Sequence, residues 1–278
     1  MNTLQSFVDR FNSKESADLF LTALKADYTE SLEKRTHTGV SELGKPAIIT
    51  AVKRLHPDLE LDPPLKAKLR MHFGNLMEQA MIQIMKHYGD VSLEQSEVEF
   101  NGILGHIDGV WEGRIVFDIK MMSSGYYDWF TKKPNDNRGY LTQIACYSAC
   151  LNLDPAMLCI NSDTFELSLV KFDPNFLEGY VERAILVSDA LHKITDWDTL
   201  LESGIVAPMP EPEIYKKEPT GNYLVPTTMK YTALKPCCYE TELGINNRKE
   251  EVEYVVGLRD MGMLEHYVTE MLNARIPF

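Results

Sequence analysis

The chain has 278 residues, a quarter of them charged and 44% apolar, and a formal net charge of −13. That balance is globular, long enough for one large domain or two small ones, and no apolar run reaches the roughly 18 residues that span a bilayer. The acidity excludes a surface coated in basic residues, so any nucleic-acid groove must be a confined basic strip. The opening MNTLQSFVDRFNS is polar and acidic where a signal peptide carries a cationic flank and an apolar stretch. The expectation is a cytoplasmic protein that meets no membrane. Of the five cysteines, Cys146, Cys150 and Cys159 lie in apolar segments and read as buried thiols. With Cys237 and Cys238 the number is odd, which argues against a disulfide framework.

Residues 1–40 read as a helical extension. Asn12 with Glu15 is an acceptable helix start, and ADLFLTALKADY has apolar residues at helical spacing. SELGKPAIITAVKRL reads as a turn into a helix with Pro46 near its first turn. After the Asp62-Pro63-Pro64 break, LKAKLRMHFGNLMEQAMIQIMKHY predicts a long helix ended by Gly89.

The period then changes. VSLEQSEVEF, ILGHIDGV and RIVFDIKMM alternate, and Asn101-Gly102 and Glu112-Gly113 separate them. This predicts a three-stranded antiparallel meander over 91–121. A polar loop from Ser123 to Asn137, a helix from Gly139 to Leu153, two strands (AMLCINS and FELSLVKF) and a helix opened by Asp173-Pro174 complete the core, 41–205. Residues 206–278 read as a Pro-rich connection followed by a helical extension from Asn247 onward. The fold class is α/β, with helices against a central sheet.

Asp118 and Lys120 fall two apart on one strand flanked by apolar residues on both faces. They share a face, roughly 6.5–7 Å apart at Cα. Buried charges are costly unless paired or used; a structural ion pair explains this spacing as well as catalysis does. Asp108, between Gly105-His106-Ile107 and Gly109, is placed beside Asp118 by the turn at Glu112-Gly113. Two adjacent acids repel unless a cation neutralises them, and magnesium takes one or two carboxylates plus phosphate oxygens. A simple turn at Asp108-Gly109 is the other reading. The glycines there suit either a turn or the close approach of a ligand. Glu78 lies beside the apolar face of the long helix, with Gly74 one turn earlier allowing close packing on the sheet. It is otherwise a solvated carboxylate. Gln143 and Tyr147 share one helical face as polar rims. The segment GYYDWFTKKPNDNRGY mixes Tyr126, Tyr127, Trp129 and Phe130 with Lys132, Lys133 and Arg138. Aromatic faces stack on unpaired bases while cations meet phosphates; packing of the aromatics back onto the sheet is the alternative.

In order, these motifs are G-x3-E on a helix, G-x-I-D-G on a strand, D-I-K on the next strand and Q-x3-Y on a helix. Together they resemble the PD-(D/E)XK nuclease superfamily over roughly Ser41 to Phe172, and its RecB-type branch with the lambda-like phage exonucleases. The resemblance implies a restriction-endonuclease-like core and a metal-dependent DNA exonuclease acting at strand ends, in recombination, repair or DNA degradation. An endonuclease or a non-catalytic nucleic-acid module on the same core are the alternatives. It implies that Asp108 and Asp118 hold magnesium or manganese with the Ile119 carbonyl, and that Glu78 completes the site directly or through water. His72 is a second candidate for that helix position. Lys120 then orients or deprotonates the attacking water, while Gln143 and Tyr147 steady the lysine or the nucleic-acid backbone from the rim. Tyr126, Trp129, Lys132, Lys133 and Arg138 are the expected grip on DNA. Iron–sulfur relatives place one cysteine before the core and three after it; this chain does not, so no iron–sulfur cluster is expected. The implied partners are DNA with free ends and a single-strand annealing or recombination protein.

Overall fold

In the computed structural model, described for residues 38–56, 65–136, 138–205, 211–215, 218–224, 239–242 and 251–255, the mixed periodicity becomes a helix-flanked mixed sheet. Helix α1 (Ala47–Leu55) follows Pro46, and α2 (Leu65–Tyr88) spans the whole predicted long helix. Gly89 ends it. A Cβ there would stand 2.2 Å from the Trp111 indole, so the stop signal is also a packing requirement. The expected helix before Val40 lies outside the described residues.

The meander is present but bent into two ladders. Its first segment divides into β1 (Val91–Ser92) and β2 (Glu97–Phe100). Leu93 and Gln95 lie between them with φ of 53° and 48°. Its second segment divides into β3 (Ile103–His106) and β4 (Gly109–Trp111). Strands β2 and β3 form a two-stranded sheet of their own, with Gly39 bridging Leu104 of β3, while β1, β4 and β5 (Ile115–Met122) belong to the main sheet. Both predicted turns hold: Asn101 and Gly102 have φ of 47° and 76°, and Glu112 and Gly113 have 50° and 64°, the left-handed pair that a type I′ turn requires.

The segment expected as a polar loop contains helix α3 (Ser124–Lys132). Its Tyr127 and Phe130 are buried, so core packing on one side supplies what the local sequence does not advertise. Helix α4 (Tyr140–Leu151) follows. Together α3 and α4 make the crossover that a parallel pair needs, because β5 runs parallel to β6 (Asp154–Asn161) over its full length. Strand β7 (Leu167–Lys171) closes the sheet, in the order β1-β4-β5-β6-β7. Helix α5 (Pro174–Lys193) begins as predicted, with Asp173 accepting the Asn175 N–H at 2.9 Å, and a short α6 (Trp197–Glu202) was not foreseen. Beyond it, β8 (Glu211–Tyr215), β9 (Glu218–Leu224), β10 (Tyr239–Glu242) and β11 (Glu251–Val255) form a second, antiparallel sheet. Strand β11 thus replaces the start of the helix expected from Asn247, and strands occupy part of the expected Pro-rich connection. Cys237, Cys238 and residues 256–278 lie outside the described residues.

One face of the sheet carries Val116, Met122, Met157 and Cys159 into a core shared with α1, α3, α4 and α5. The other buries Phe117, Ile119, Leu158 and Ile160 under Met77, Met81, Ile82 and Met85 of α2. Each fully buried side chain of this size contributes about 1.5–3 kcal/mol. Two expectations about packing fail. A Cβ on Gly74 would meet nothing within 4 Å, so that glycine does not mediate close contact with the sheet. Cys150 is only half-buried, whereas Cys146 and Cys159 are buried; all three are free thiols. No helix among the described residues is long and apolar enough to cross a membrane.

Candidate active site

Strand β4 pairs with only the first three residues of β5, Gly109 standing opposite Phe117. Extending that register by one places Asp108 opposite Asp118. Here the chain turns from β4 into β3, and the far half of β5 has an open backbone edge on this side. The Asp108 carboxylate takes the place of a neighbouring strand: its Oδ2 accepts the Ile119 N–H at 2.6 Å. The N–H and C=O of one strand residue project to the same side, so the Ile119 carbonyl lies on the edge where Asp108 stands.

Asp118 is fully buried and Asp108 is 6% exposed. The Lys120 ammonium donates to Asp118 Oδ1 at 2.9 Å and stands 2.8 Å from Oδ2. The second contact is charge pairing outside hydrogen-bond geometry, and Oδ2 accepts no hydrogen bond. Glu78 reaches the same place from α2. Gln95 Nε2 donates to its Oε1 at 2.5 Å, and the charges of Asp118 and Lys120 and a hydrogen bond with Asp108 all act on its carboxyl.

The electrostatics are those of crowded acids. Burial, then the Asp118 charge, drives the Asp108 pKa well above the ordinary carboxylate range; Lys120 and the Ile119 N–H only partly offset this. Burial raises Asp118 as well, against the charge and hydrogen bond of Lys120. Burial also raises Glu78, against Lys120 and Gln95. For Lys120, burial alone would lower the pKa, but Asp118 and Asp108 outweigh it and hold the ammonium charged. In that state the lysine donates hydrogen bonds and positive charge to whatever stands beside Asp118.

The donor set is all oxygen and includes a buried carboxylate oxygen without a hydrogen-bond donor, which suits a hard divalent cation. Among the described residues no group of three or more His, Cys, Asp or Glu side chains is placed to hold a metal ion. An ion here would rest on one or two carboxylates, with substrate and water completing its shell, as magnesium does.

Gln143 and Tyr147, expected at the rim, are buried. Gln143 Nε2 donates to the Tyr147 hydroxyl at 3.1 Å. Burial pushes the Tyr147 phenol up to about 12. The glycines around His106-Ile107-Asp108 are filled from within. A Cβ on Gly105 would meet Val40 and Tyr147 at 2.8 and 2.9 Å, and one on Gly109 would meet the Phe117 ring at 2.7 Å.

Of the expected DNA grip, Lys132, Lys133 and Trp129 are exposed on α3 or just beyond it. Tyr126 is half-buried, with the Arg138 guanidinium 4.1 Å from its ring centroid. It also lies 5.7 Å from the rings of both Trp129 and Phe130. The expected grip residues thus lie on or beside a helix, with tilted aromatic rings and a cation over Tyr126, and not on a loop.

Three contributors were missed. Gln95 holds Glu78. Asp136 caps α4 by accepting the Leu141 and Thr142 N–H groups at 2.7 and 3.1 Å. Tyr140 lies 5.6 Å, ring centroid to Nζ, from Lys120. It precedes Gln143 and Tyr147 by three and seven residues, so helical spacing alone puts all three on one face.

No protein-family model and no curated protein matches the chain. Among solved structures, it is similar to the alkaline exonuclease LHK-Exo from Laribacter hongkongensis: 12% identity, 57% of this chain and 89% of that one covered, TM-score 0.43. It is similar to the same exonuclease in complex with dAMP, at 13% identity, 57% and 89% coverage and TM-score 0.41. A phage-related exonuclease from Haemophilus somnus 129PT is similar at 14% identity, 56% and 94% coverage and TM-score 0.41.

Proposed function

We propose that the chain is a divalent-metal-dependent DNA exonuclease that hydrolyses phosphodiester bonds at strand ends. The observation that carries this reading is the convergence of Glu78, Asp108 and Asp118 with Lys120 at the open edge of β5. Three acids against one base are excess negative charge in a buried place, which is relieved by protonation or by a bound cation.

Asp108 and Asp118 would hold magnesium or manganese, with the Ile119 carbonyl and Glu78 as further donors. The ion supplies Lewis-acid polarisation of the phosphodiester and a more acidic bound water. Lys120, charged, offsets the phosphate charge and orients the attacking water by donation. Its other expected role, deprotonating the attacking water, needs the neutral amine, which a cation bound beside it would favour. Gln143 and Tyr147 support the site from beneath. Outside it, Trp129, Lys132 and Lys133 offer a stacking face and cations to a strand, and Tyr126 and Arg138 form the wall behind them.

The test compares end-labelled linear DNA with covalently closed circular DNA, each with magnesium and with chelator. The reading predicts loss of the linear form only, and only with metal. Cleavage of the closed circle would make the enzyme an endonuclease, and no metal-dependent cleavage of either would overturn the reading.

A further inference from the structure

Lysine carries its charge on a flexible four-carbon stem and loses precision unless something confines the ammonium. Asp118 confines Lys120 from one side through its hydrogen bond. The face of the Tyr140 ring stands near the same ammonium, with 5.6 Å between Nζ and the ring centroid, inside the range at which a ring attracts a cation.

Tyr140 is itself held on several sides. Its ring meets Tyr126 and Phe130 in edge-to-face contacts, at 6.3 Å and 74° and at 6.2 Å and 77°. It is the first residue of α4, and two devices fix that helix end. The backbone of Gly139, at φ 78°, lies so close to Gly44 that a Cβ on Gly44 would be 2.3 Å from the Gly139 Cα. Asp136 accepts the Leu141 and Thr142 N–H groups. The ring is thereby held independently of Lys120, and the cation stands over it.

We propose that Tyr140 is a positioning residue whose ring face holds the Lys120 ammonium in register with Asp118. This rests on the nuclease reading above. The contribution is that of the π-face: the phenol hydroxyl is dispensable, and the ring is not.

The test uses the full chain with Tyr140→Phe, Tyr140→Leu and Tyr140→Met. Two aliphatic variants are included so that a packing loss in one does not decide the result. The first readout is kcat and KM on linear DNA. The second is the NMR shift of the Lys120 ε-methylene protons in protein labelled with 13C-lysine, which the ring current displaces whether or not the enzyme turns over. Both aliphatic variants should lose about tenfold or more in kcat, as small misplacements of catalytic groups do, with KM little changed, and the ε-proton shift should disappear. Tyr140→Phe should restore both. The proposal is overturned if Tyr140→Phe behaves like the aliphatic variants, or if these keep wild-type kcat or the wild-type shift. A wild-type protein that does not cleave DNA, yet shows the displaced resonance and loses it in both aliphatic variants, would sink the nuclease reading and leave the contact established.

Discussion

The carboxylate of Asp108 accepts the main-chain N–H of Ile119 at 2.6 Å, so an acidic side chain replaces a strand neighbour at the open edge of β5. A group placed this way is structural and electrostatic at once. It satisfies a backbone donor that would otherwise be buried unpaired, and it brings a negative charge to the side of Asp118. Substitutions here must separate the two roles.

The crowding of acids predicts an unusual pH dependence of stability in chelator. Asp108, Asp118 and Glu78 all have folded-state pKa values above their unfolded ones. Between the unfolded carboxylate values, about 4, and the raised folded ones, folding therefore takes up protons. The stability these groups allow is full at the acid end of that window and is lost as pH rises through the folded values. In chelator, Tm should fall as pH rises above the ordinary carboxylate range and through the raised folded-state values; Asp108→Asn should flatten the slope, and magnesium should raise Tm more at the high-pH end. A Tm that rises with pH in chelator and does not respond to Asp108→Asn would contradict the electrostatic picture.

Lys120→Met should abolish turnover while keeping metal and DNA binding, because all three carboxylates remain. It also strips the buried Asp118 of its counter-charge, and breaking a buried pair costs about 3–5 kcal/mol. In chelator the melting temperature should fall by several degrees, and magnesium should recover much of it. Calorimetry with manganese decides the matter. Loss of metal binding with a normal melt would mean that the lysine builds the site.

Gly44→Ala tests the docking of α4. A Cβ would lie 2.3 Å from the Gly139 Cα and 2.8 Å from its carbonyl oxygen, and backbone cannot swing away as a side chain does. The cost should be about 1–3 kcal/mol, as for other overpacking, with activity falling further than stability because Tyr140 and Gln143 move with the helix. An unchanged melting curve would show that the two segments separate easily.

Much of the core was legible because its residues leave few choices. The apolar run of β5, alternating Asp118 and Lys120 with Phe117, Ile119 and Met121, suits only a buried strand. Asn101-Gly102 suits only a tight turn, and Asp173-Pro174 a helix start. The break between β1 and β2 was not legible. Leu93 and Gln95 adopt left-handed conformations without the glycine that would signal them. Helix α3 escaped notice because Tyr127 and Phe130 acquire a helical face only once the core receives them. The pairing of Asp108 with Asp118 followed from counting back from Glu112-Gly113. The support by Gln95 and Gly44 depends on segments distant in sequence, which no local pattern encodes; Asp136 lies only five residues before Leu141.

The exposed surface of α3 yields a separable pair of effects. Changing Lys132 and Lys133 to Ala should weaken DNA binding and reduce the slope of log K against log salt by about 0.7–0.9 for each phosphate that is no longer neutralised. Trp129→Ala should cost about 1–3 kcal/mol of single-strand affinity with little change of slope, because stacking releases few ions. Trp129 is 39% exposed, enough to offer one ring face. Unchanged affinity and slope in the double lysine variant would move the grip elsewhere on the protein.

The most direct test of the central claim is manganese binding by calorimetry, with cleavage of linear DNA assayed on the same samples, for wild type, Asp108→Asn and Asp118→Asn. Asparagine keeps the shape and, at Asp108, an acceptor for the Ile119 N–H, while removing one charge. The account predicts that wild type binds the ion and cleaves, and that each variant loses metal affinity and cleavage together; in chelator Asp108→Asn keeps its melting temperature, whereas Asp118→Asn, which leaves the buried Lys120 without its partner, melts several degrees lower. Near-normal cleavage by either folded variant, or cleavage lost with metal binding intact in both, would contradict the assignment of Asp108 and Asp118 as the acids that hold the metal.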